Sequence, residues 1–203
     1  MKSNSKDFFG TKAKGYDKDA ARVDNVTRIA NSILKEITYQ KNFNIVDFGS
    51  GTGLLLSKIA PYVNKITAID ISKSMNEVLR NKKHTIESEV EILEIDLSKT
   101  NVNHQFDGII SSMTLHHIKN TENIFKKFYK MLNSNGSIAI ADLDTEDGTF
   151  HKEDTGVFHF GFDRDDLLKI VISVGFKKVK IQTVGLVEKP YGKYSVFLLT
   201  AYK

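Results

Sequence analysis

The chain has 203 residues, 40% of them hydrophobic, with a net charge of +4 and no cysteine. That length supports one sizeable core and so one domain, while the missing cysteines exclude disulfides, thiolate metal sites and cysteine nucleophiles together. The positive charge is scattered over lysines, with arginine only at Arg22, Arg28, Arg80 and Arg164, whereas nucleic-acid binders concentrate charge and favour arginine, so a nucleic-acid partner is not expected.

The opening stretch MKSNSKDFFG lacks the apolar core of a secretory signal, and no apolar run approaches the roughly 18 to 20 residues of a membrane span. A soluble, cytoplasmic protein without a membrane partner is expected. Residues 1–23 are polar with interspersed aromatics, and then Val26, Ile29, Ala30, Ile33, Leu34 and Ile37 mark one face of a helix. From there apolar runs alternate with amphipathic segments: strand 44–48, helix 53–60 halted by Pro61, strand 66–70, helix 73–82, strands 90–95 and 107–111, and helix 121–132. The strand runs lack clean alternation, as expected of parallel strands covered on both faces. Asn133-Ser-Asn-Gly136 reads as a turn before a strand at 137–141, and a helix capped by Asp163 is closed by Gly175. Strands 178–187 and 194–202 flank a connection too short for a parallel crossover, so they form an antiparallel pair. Lys177, Lys178 and Lys180 read as a solvated edge.

The first strand runs into IVDFGSGTG, with glycine at 49, 51 and 53. Glycines so placed let the backbone turn tightly and let a ligand approach main-chain atoms. The dinucleotide fingerprint GxGxxG would need glycine or alanine at the sixth position, which is Leu54, and this weakens a nicotinamide reading. Asp70 ends the second strand in ITAIDIS, where its two oxygens could accept both hydroxyls of a ribose. Asp96 in LEIDLS ends the third and could meet an exocyclic amine, or equally begin the turn Asp96-Leu-Ser98. Asp70 could instead cap the following helix. The set suggests a nucleoside whose other arm is not a pyrophosphate.

IVDFGSGTG, ITAIDISKSM, LEIDLS and FDGIISSMTLHHI stand in the order and spacing of class I S-adenosylmethionine-dependent methyltransferases, which the chain resembles over residues 40–145. The resemblance implies an α/β, Rossmann-like fold: a seven-stranded, mostly parallel sheet with helices on both faces and a terminal antiparallel strand. It implies one methyltransferase domain over 1–203, with an N-terminal helical lid at 1–40, a core at 41–203 and a substrate loop at about 142–162. S-adenosylmethionine is the implied cofactor and S-adenosylhomocysteine its product. Gly49, Gly51 and Gly53 would lie against the cofactor, with Asp47 near its amino group. Asp70 would hold the ribose, Ile71 and Met75 the adenine face, and Asp96 and Leu97 the adenine edge. Ser111 and Ser112 would border the methionine arm, and Tyr16 resembles a lid aromatic.

Methyl transfer is a direct displacement that needs positioning and a base for the acceptor's proton, and histidine suits that role near neutral pH. His116, His117, His151 and His159 are the candidates. The same histidines and nearby acids could in principle hold a metal, but no ligand spacing such as HExxH occurs and none is expected. The family's base-amine methylases carry an NPPY-like tetrapeptide where this chain has Ser111-Ser-Met-Thr114, so a small-molecule acceptor is expected. The rival expectations are a non-catalytic nucleoside-binding regulatory module on the same fold, and a nicotinamide oxidoreductase.

Overall fold

A computed structural model describes residues 7–203; the first six residues of the expected lid lie outside the described residues. A 3-10 turn at Ala13–Lys18 leads into α1 (Ala20–Glu36), capped by Asp19, whose side chain accepts from the Arg22 amide. There follow β1 (Asn44–Phe48), α2 (Leu54–Ile59), β2 (Lys65–Ile69), α3 (Lys73–Lys82), β3 (Glu89–Leu93), β4 (Phe106–Ser112) and α4 (Thr121–Met131). The chain closes with β5 (Leu132–Leu143), α5 (Arg164–Val174), β6 (Lys177–Lys189) and β7 (Gly192–Tyr202). No helix among the described residues is long and apolar enough to cross a membrane.

The seven strands form one sheet in the order β3-β2-β1-β4-β5-β7-β6. The first five pair in parallel, while β7 runs antiparallel to both β5 and β6. The reversed strand, last in the chain, therefore slots between two strands that precede it. Successive strand residues serve opposite faces: Ile45 and Ile110 pack with Ile29, Ile33 and Leu56 of α1 and α2. Val46 and Ile109 pack with Phe125, Phe128 and Leu167 of α4 and α5. This is why the strand sequences are mostly apolar and do not alternate cleanly. Ile124, Phe125 and Phe128 are fully buried, and burial of such a side chain is worth about 1.5–3 kcal/mol. The sheet therefore holds its parallel strand ends, and the loops leaving them, on a rigid base.

Three local expectations need correction. Asn133-Ser-Asn-Gly136 is an irregularity inside β5, not a turn before it. The register jumps from Phe106 opposite Leu132 to Gly108 opposite Ser137, and Asn135 takes up the extra length at φ 66°. Asn tolerates that left-handed conformation, so the residues that favour a turn also suit a bulge. At the hairpin, β6 and β7 extend to the pair Lys189–Gly192, leaving only Pro190 and Tyr191 to turn the chain. β3 stops at Leu93, so Asp96 lies beyond the strand in a turn of its own.

Candidate active site

β1 ends at Phe48, and the next five residues turn back into α2. Gly49, Gly51 and Gly53 all have positive φ, at 70°, 53° and 85°, a region that costs other L-residues roughly 1–2 kcal/mol. Their surroundings differ. A Cβ on Gly49 would lie 2.1 Å from Thr114 Oγ1, and one on Gly53 would lie 2.6 Å from Leu79 Cδ1. A Cβ on Gly51 would meet nothing within 4 Å. Two of the glycines thus admit neighbouring elements, and the middle one faces open space.

The Gly51 amide donates to Asp70 Oδ2 at 2.7 Å, and the Ser72 amide donates to Asp70 Oδ1 at 2.8 Å. An ionised carboxylate has about four acceptor positions, so lone pairs remain after these two bonds. Burial pushes the Asp70 carboxyl above its usual range, while the two amides pull it down. The helix cap of α3 is Ser72, which accepts from the Met75 amide; Asp70 is left to tie the end of β2 to the glycine turn. Ile71 beside it is 60% exposed, an apolar side chain presented next to the open turn, whereas Met75 is buried.

Asp47 sits on β1 between Ala68 of β2 and Ile110 of β4. It is 1% exposed and its Oδ2 has no hydrogen-bond partner. Burial, with a smaller push from the charge of Asp70, raises its carboxyl to about 8. The folded state therefore binds a proton that the unfolded chain, titrating near 3.8, lacks. Stability contributed by this group is present at low pH and lost as pH rises toward the folded value. In Asp47→Asn that titration is gone, so its melting temperature should gain on the unaltered protein's from about pH 5 to pH 8 and level off above. Melting curves across that range check this, and a gap independent of pH would refute it.

Asp96 accepts from the Ser98 amide at 2.9 Å and the Ser98 hydroxyl at 2.5 Å, and pairs with Lys99 at 2.8 Å. Burial pushes its carboxyl up, but Lys99 and Ser98 more than offset this and hold it below the usual carboxylate range. Leu97 turns into the core beside Phe48 and Ile69. At the tip of β4, Ser111 donates to the Phe48 carbonyl at 2.7 Å, whereas the buried Ser112 hydroxyl has no partner.

After β4 the chain makes a short 3-10 turn, Leu115–His117. β4 and β5 are in register at Ser112 and Ala141, which brings Asp142 beneath this turn. His116 is 1% exposed, and its Nδ1 lies 2.7 Å from Oδ1 of the fully buried Asp142. Burial would raise the Asp142 carboxyl, but the His116 imidazole more than offsets that and holds it below its ordinary value. His151 returns from the loop after β5 with its Nε2 3.2 Å from His116 Nε2. His117 Nδ1 lies 3.3 Å from the Gly156 carbonyl. Burial and neighbouring His116 lower His117 to about 4, and burial with the same neighbour lowers His151 to about 3. Both are neutral imidazoles near neutral pH. His159 stands apart, with Nε2 2.9 Å from the Ile118 carbonyl and its ring against Phe162.

The loop after β5 is pinned over this cluster: the Phe158 and His159 amides both donate to the His116 carbonyl. Arg164 grips Asp144 through two bonds of 2.6 and 2.7 Å at the loop's base. A cavity of about 310 Å³ lined by Asp144 to Asp147, Thr149 and Tyr191 to Ser195 lies at the same end of the sheet, but none of the histidines line it.

The N-terminal segment closes over both regions. Asp7 accepts from the Ser72 and Ser74 hydroxyls and the Ser74 amide. Asp17 accepts from the Thr52 hydroxyl within the glycine turn and from Lys82 of α3, each at 2.5 Å. Phe9 packs edge-on against His117, and Lys12 pairs with Glu153. Tyr16 lies under the Arg22 guanidinium, 3.9 Å from its ring centre, and burial raises its phenol.

Sequence reasoning missed Asp142 as the partner of His116, and Asp7, Asp17 and Thr52 as the groups fastening the N-terminal segment. Asp142 carries a signal, an acid at the tip of the strand beside the histidine pair. The N-terminal acids carry none, since their partners are more than 30 residues away.

Residues 46–140 match the family described as methyltransferase domain. The chain is 32% identical over 165 residues to an uncharacterized methyltransferase of Schizosaccharomyces pombe, covering 72% of this chain and 56% of that protein. It is 29% identical over 149 residues to malonyl-[acyl-carrier protein] O-methyltransferase of Priestia megaterium, covering 71% and 52%. The chain thus spans about half the length of these curated relatives. In structure it resembles phosphoethanolamine N-methyltransferase 2 of Haemonchus contortus, solved with phosphomonomethylethanolamine and S-adenosylhomocysteine, at a TM-score of 0.73 and 15% identity, covering 97% of this chain and 59% of that one. A Haloferax volcanii protein solved in complex with the Trm112 methyltransferase activator gives a TM-score of 0.78 at 15% identity, covering 98% of each chain. With the glycine turn, the acid after β2 and the reversed β7 in place, the chain carries a methyltransferase domain over residues 46–140 and has the fold of class I S-adenosylmethionine-dependent methyltransferases.

Proposed function

We propose that this protein transfers the methyl group of S-adenosylmethionine to a nucleophilic atom of a small molecule. The observation that carries the reading is the unpartnered, buried carboxylate oxygen of Asp47, set just before a glycine turn whose middle residue opens onto free space. A buried acid oxygen without a partner is costly, and the cofactor's ammonium group would complete it. Gly51 leaves its backbone free to be approached, Asp70 keeps lone pairs for ribose hydroxyls, and Ile71 offers an apolar surface to the base. Asp96 serves the adenine edge only if it shares its carboxylate with Lys99.

The cofactor supplies an electrophilic methyl on a sulfonium, and displacement there needs an aligned nucleophile rather than a covalent enzyme residue. Activation of the acceptor falls to the cluster of His116, His117 and His151, beside the strand tip that carries the orphaned Ser112 hydroxyl. Residues 7–19 act as the lid, and the loop after β5 shapes the acceptor's pocket. The Priestia megaterium relative is an O-methyltransferase of malonyl-[acyl-carrier protein] and the Haemonchus contortus neighbour an N-methyltransferase of phosphoethanolamine, so the acceptors to be tested span oxygen and nitrogen nucleophiles.

Isothermal titration with S-adenosylhomocysteine, followed by transfer of labelled methyl to a panel of small acids, amines and phenols, tests this. One site per chain and a labelled product are expected. No heat with either form of the cofactor would overturn the reading, and binding without transfer to any acceptor would favour a non-catalytic module.

A further inference from the structure

His116 and His117 beyond the tip of β4 and His151 from the loop after β5 share a geometry that hydrogen bonding alone does not require. One ring nitrogen from each lies within 4.8 Å of those of the other two. His116 Nε2 and His151 Nε2 are 3.2 Å apart. Two nitrogens bound to one tetrahedral ion at about 2.0–2.1 Å would stand about 3.3–3.4 Å from each other, so this pair already has the needed spacing.

Two of the three histidines are held by Nδ1 as ligating imidazoles require. A metal-bound histidine usually gives its other N–H to a carboxylate or a backbone carbonyl, which fixes the tautomer and turns the free lone pair toward the ion. His116 Nδ1 faces Asp142 Oδ1 at 2.7 Å, and Asp142 is itself fixed by the His116 and Leu143 amides. His117 Nδ1 faces the Gly156 carbonyl; a carbonyl can only accept, so His117 carries its proton on Nδ1 and leaves Nε2 with a lone pair. The Asp142 carboxylate brings a negative charge beneath the cluster. Of the nearby cations, Lys12 is neutralised by Glu153 at 2.7 Å, and Lys189 lies over the Phe150 ring.

We infer that His116, His117 and His151 form a binding site for a divalent transition-metal ion, zinc by preference, with Asp142 as the positioning residue behind His116. Three imidazole ligands suit zinc and its first-row neighbours rather than magnesium or calcium, which take oxygen ligands. Three protein ligands leave a tetrahedral ion one open position. In the methyltransferase reading, on which this last step rests, that position would take an O–H or N–H of the acceptor and lower its pKa, so that its proton would pass to water, the freed lone pair would bond to the sulfonium methyl, and the C–S electrons would leave with S-adenosylhomocysteine. The absence of any local ligand spacing in the sequence is explained by topology: His151 comes from a different strand's loop, 35 residues beyond His116.

The full chain, stripped with a chelator and dialysed against zinc chloride, should retain one zinc per chain by elemental analysis. Cobalt chloride should give the intense visible bands of a four-coordinate site. His116→Gln and His151→Gln should lose the bands, Asp142→Asn should weaken zinc binding by about 10- to 100-fold, and His84→Gln, at an exposed position, should change nothing. Because a buried substitution can unfold the chain, the unaltered protein carries the decisive measurement: no retained zinc and no cobalt bands, with a normal melting curve, would overturn the site. Titration with S-adenosylhomocysteine separates the two readings. Intact cofactor binding without zinc removes the metal alone, and retained zinc without cofactor binding removes the methyltransferase reading alone.

Discussion

Replacing Gly49 with alanine is expected to lower the melting temperature by roughly 10 °C. Two costs add. The residue sits at φ 70°, where a Cβ costs about 1–2 kcal/mol, and that Cβ would lie 2.1, 2.2 and 2.6 Å from three atoms of the Thr114 side chain. Thr114 cannot swing away freely, since its hydroxyl is within reach of the Gly49 and Ser112 carbonyls, so forced repacking adds about 1–3 kcal/mol. A protein of this size loses about 2–4 °C per kcal/mol. Gly51→Ala carries only the backbone cost, because nothing stands within 4 Å of its Cβ, and should melt within a few degrees of the unaltered protein while losing affinity for S-adenosylhomocysteine. Scanning calorimetry of both variants checks the contrast. Equal losses of stability would mean that the turn's glycines share one role, and recovery of Gly49→Ala by Thr114→Gly would locate the clash.

Asp70→Ala should weaken S-adenosylhomocysteine binding by about 100-fold. The carboxylate would hold ribose hydroxyls through charged hydrogen bonds, each worth about 1.5–3 kcal/mol, and tenfold in affinity is 1.4 kcal/mol. Part of the loss comes from the turn itself, since the Gly51 and Ser72 amides lose their acceptor. Asp70→Asn keeps one acceptor oxygen and should fall between. Titration calorimetry at fixed salt measures the series. Affinity within threefold of the unaltered protein in Asp70→Ala would show that this acid serves only to brace the loop.

Much of the architecture was legible because it depends on one-dimensional patterns. Strand segments at 45–48, 66–69 and 109–110 that are mostly apolar and do not alternate cleanly come from strands with a helical layer on each face, and the caps Asp163 and Gly175 act within one turn of the chain. The glycine turn and Asp70 were legible for the same reason, each being the end of a strand. What escaped was set by distance or by ambiguity. Asn133 to Gly136 can make a turn or a bulge, and only pairing with β4 decides. Asp96 reads equally as a ligand group or as the start of the turn Asp96-Leu-Ser98, and the turn bond to Ser98 is formed. The grouping of His116, Asp142 and His151 depends on β5 lying beside β4, which no local spacing encodes. The anchors of the N-terminal segment are polar pairs between distant residues and leave no periodic trace.

The insertion of β7 between β5 and β6 imposes an order on the birth of the molecule. On a ribosome, residues 177–189 emerge before 192–202, yet β6 touches the sheet only through β7. Until β7 is released, the exit side of β5 stays an unpaired edge with Ile138, Ala139 and Ile140 along it, the kind of surface that recruits foreign strands. The eleven residues of β7 are thus the keystone of synthesis, and a chain cut short before them would lose two strands of the sheet at once.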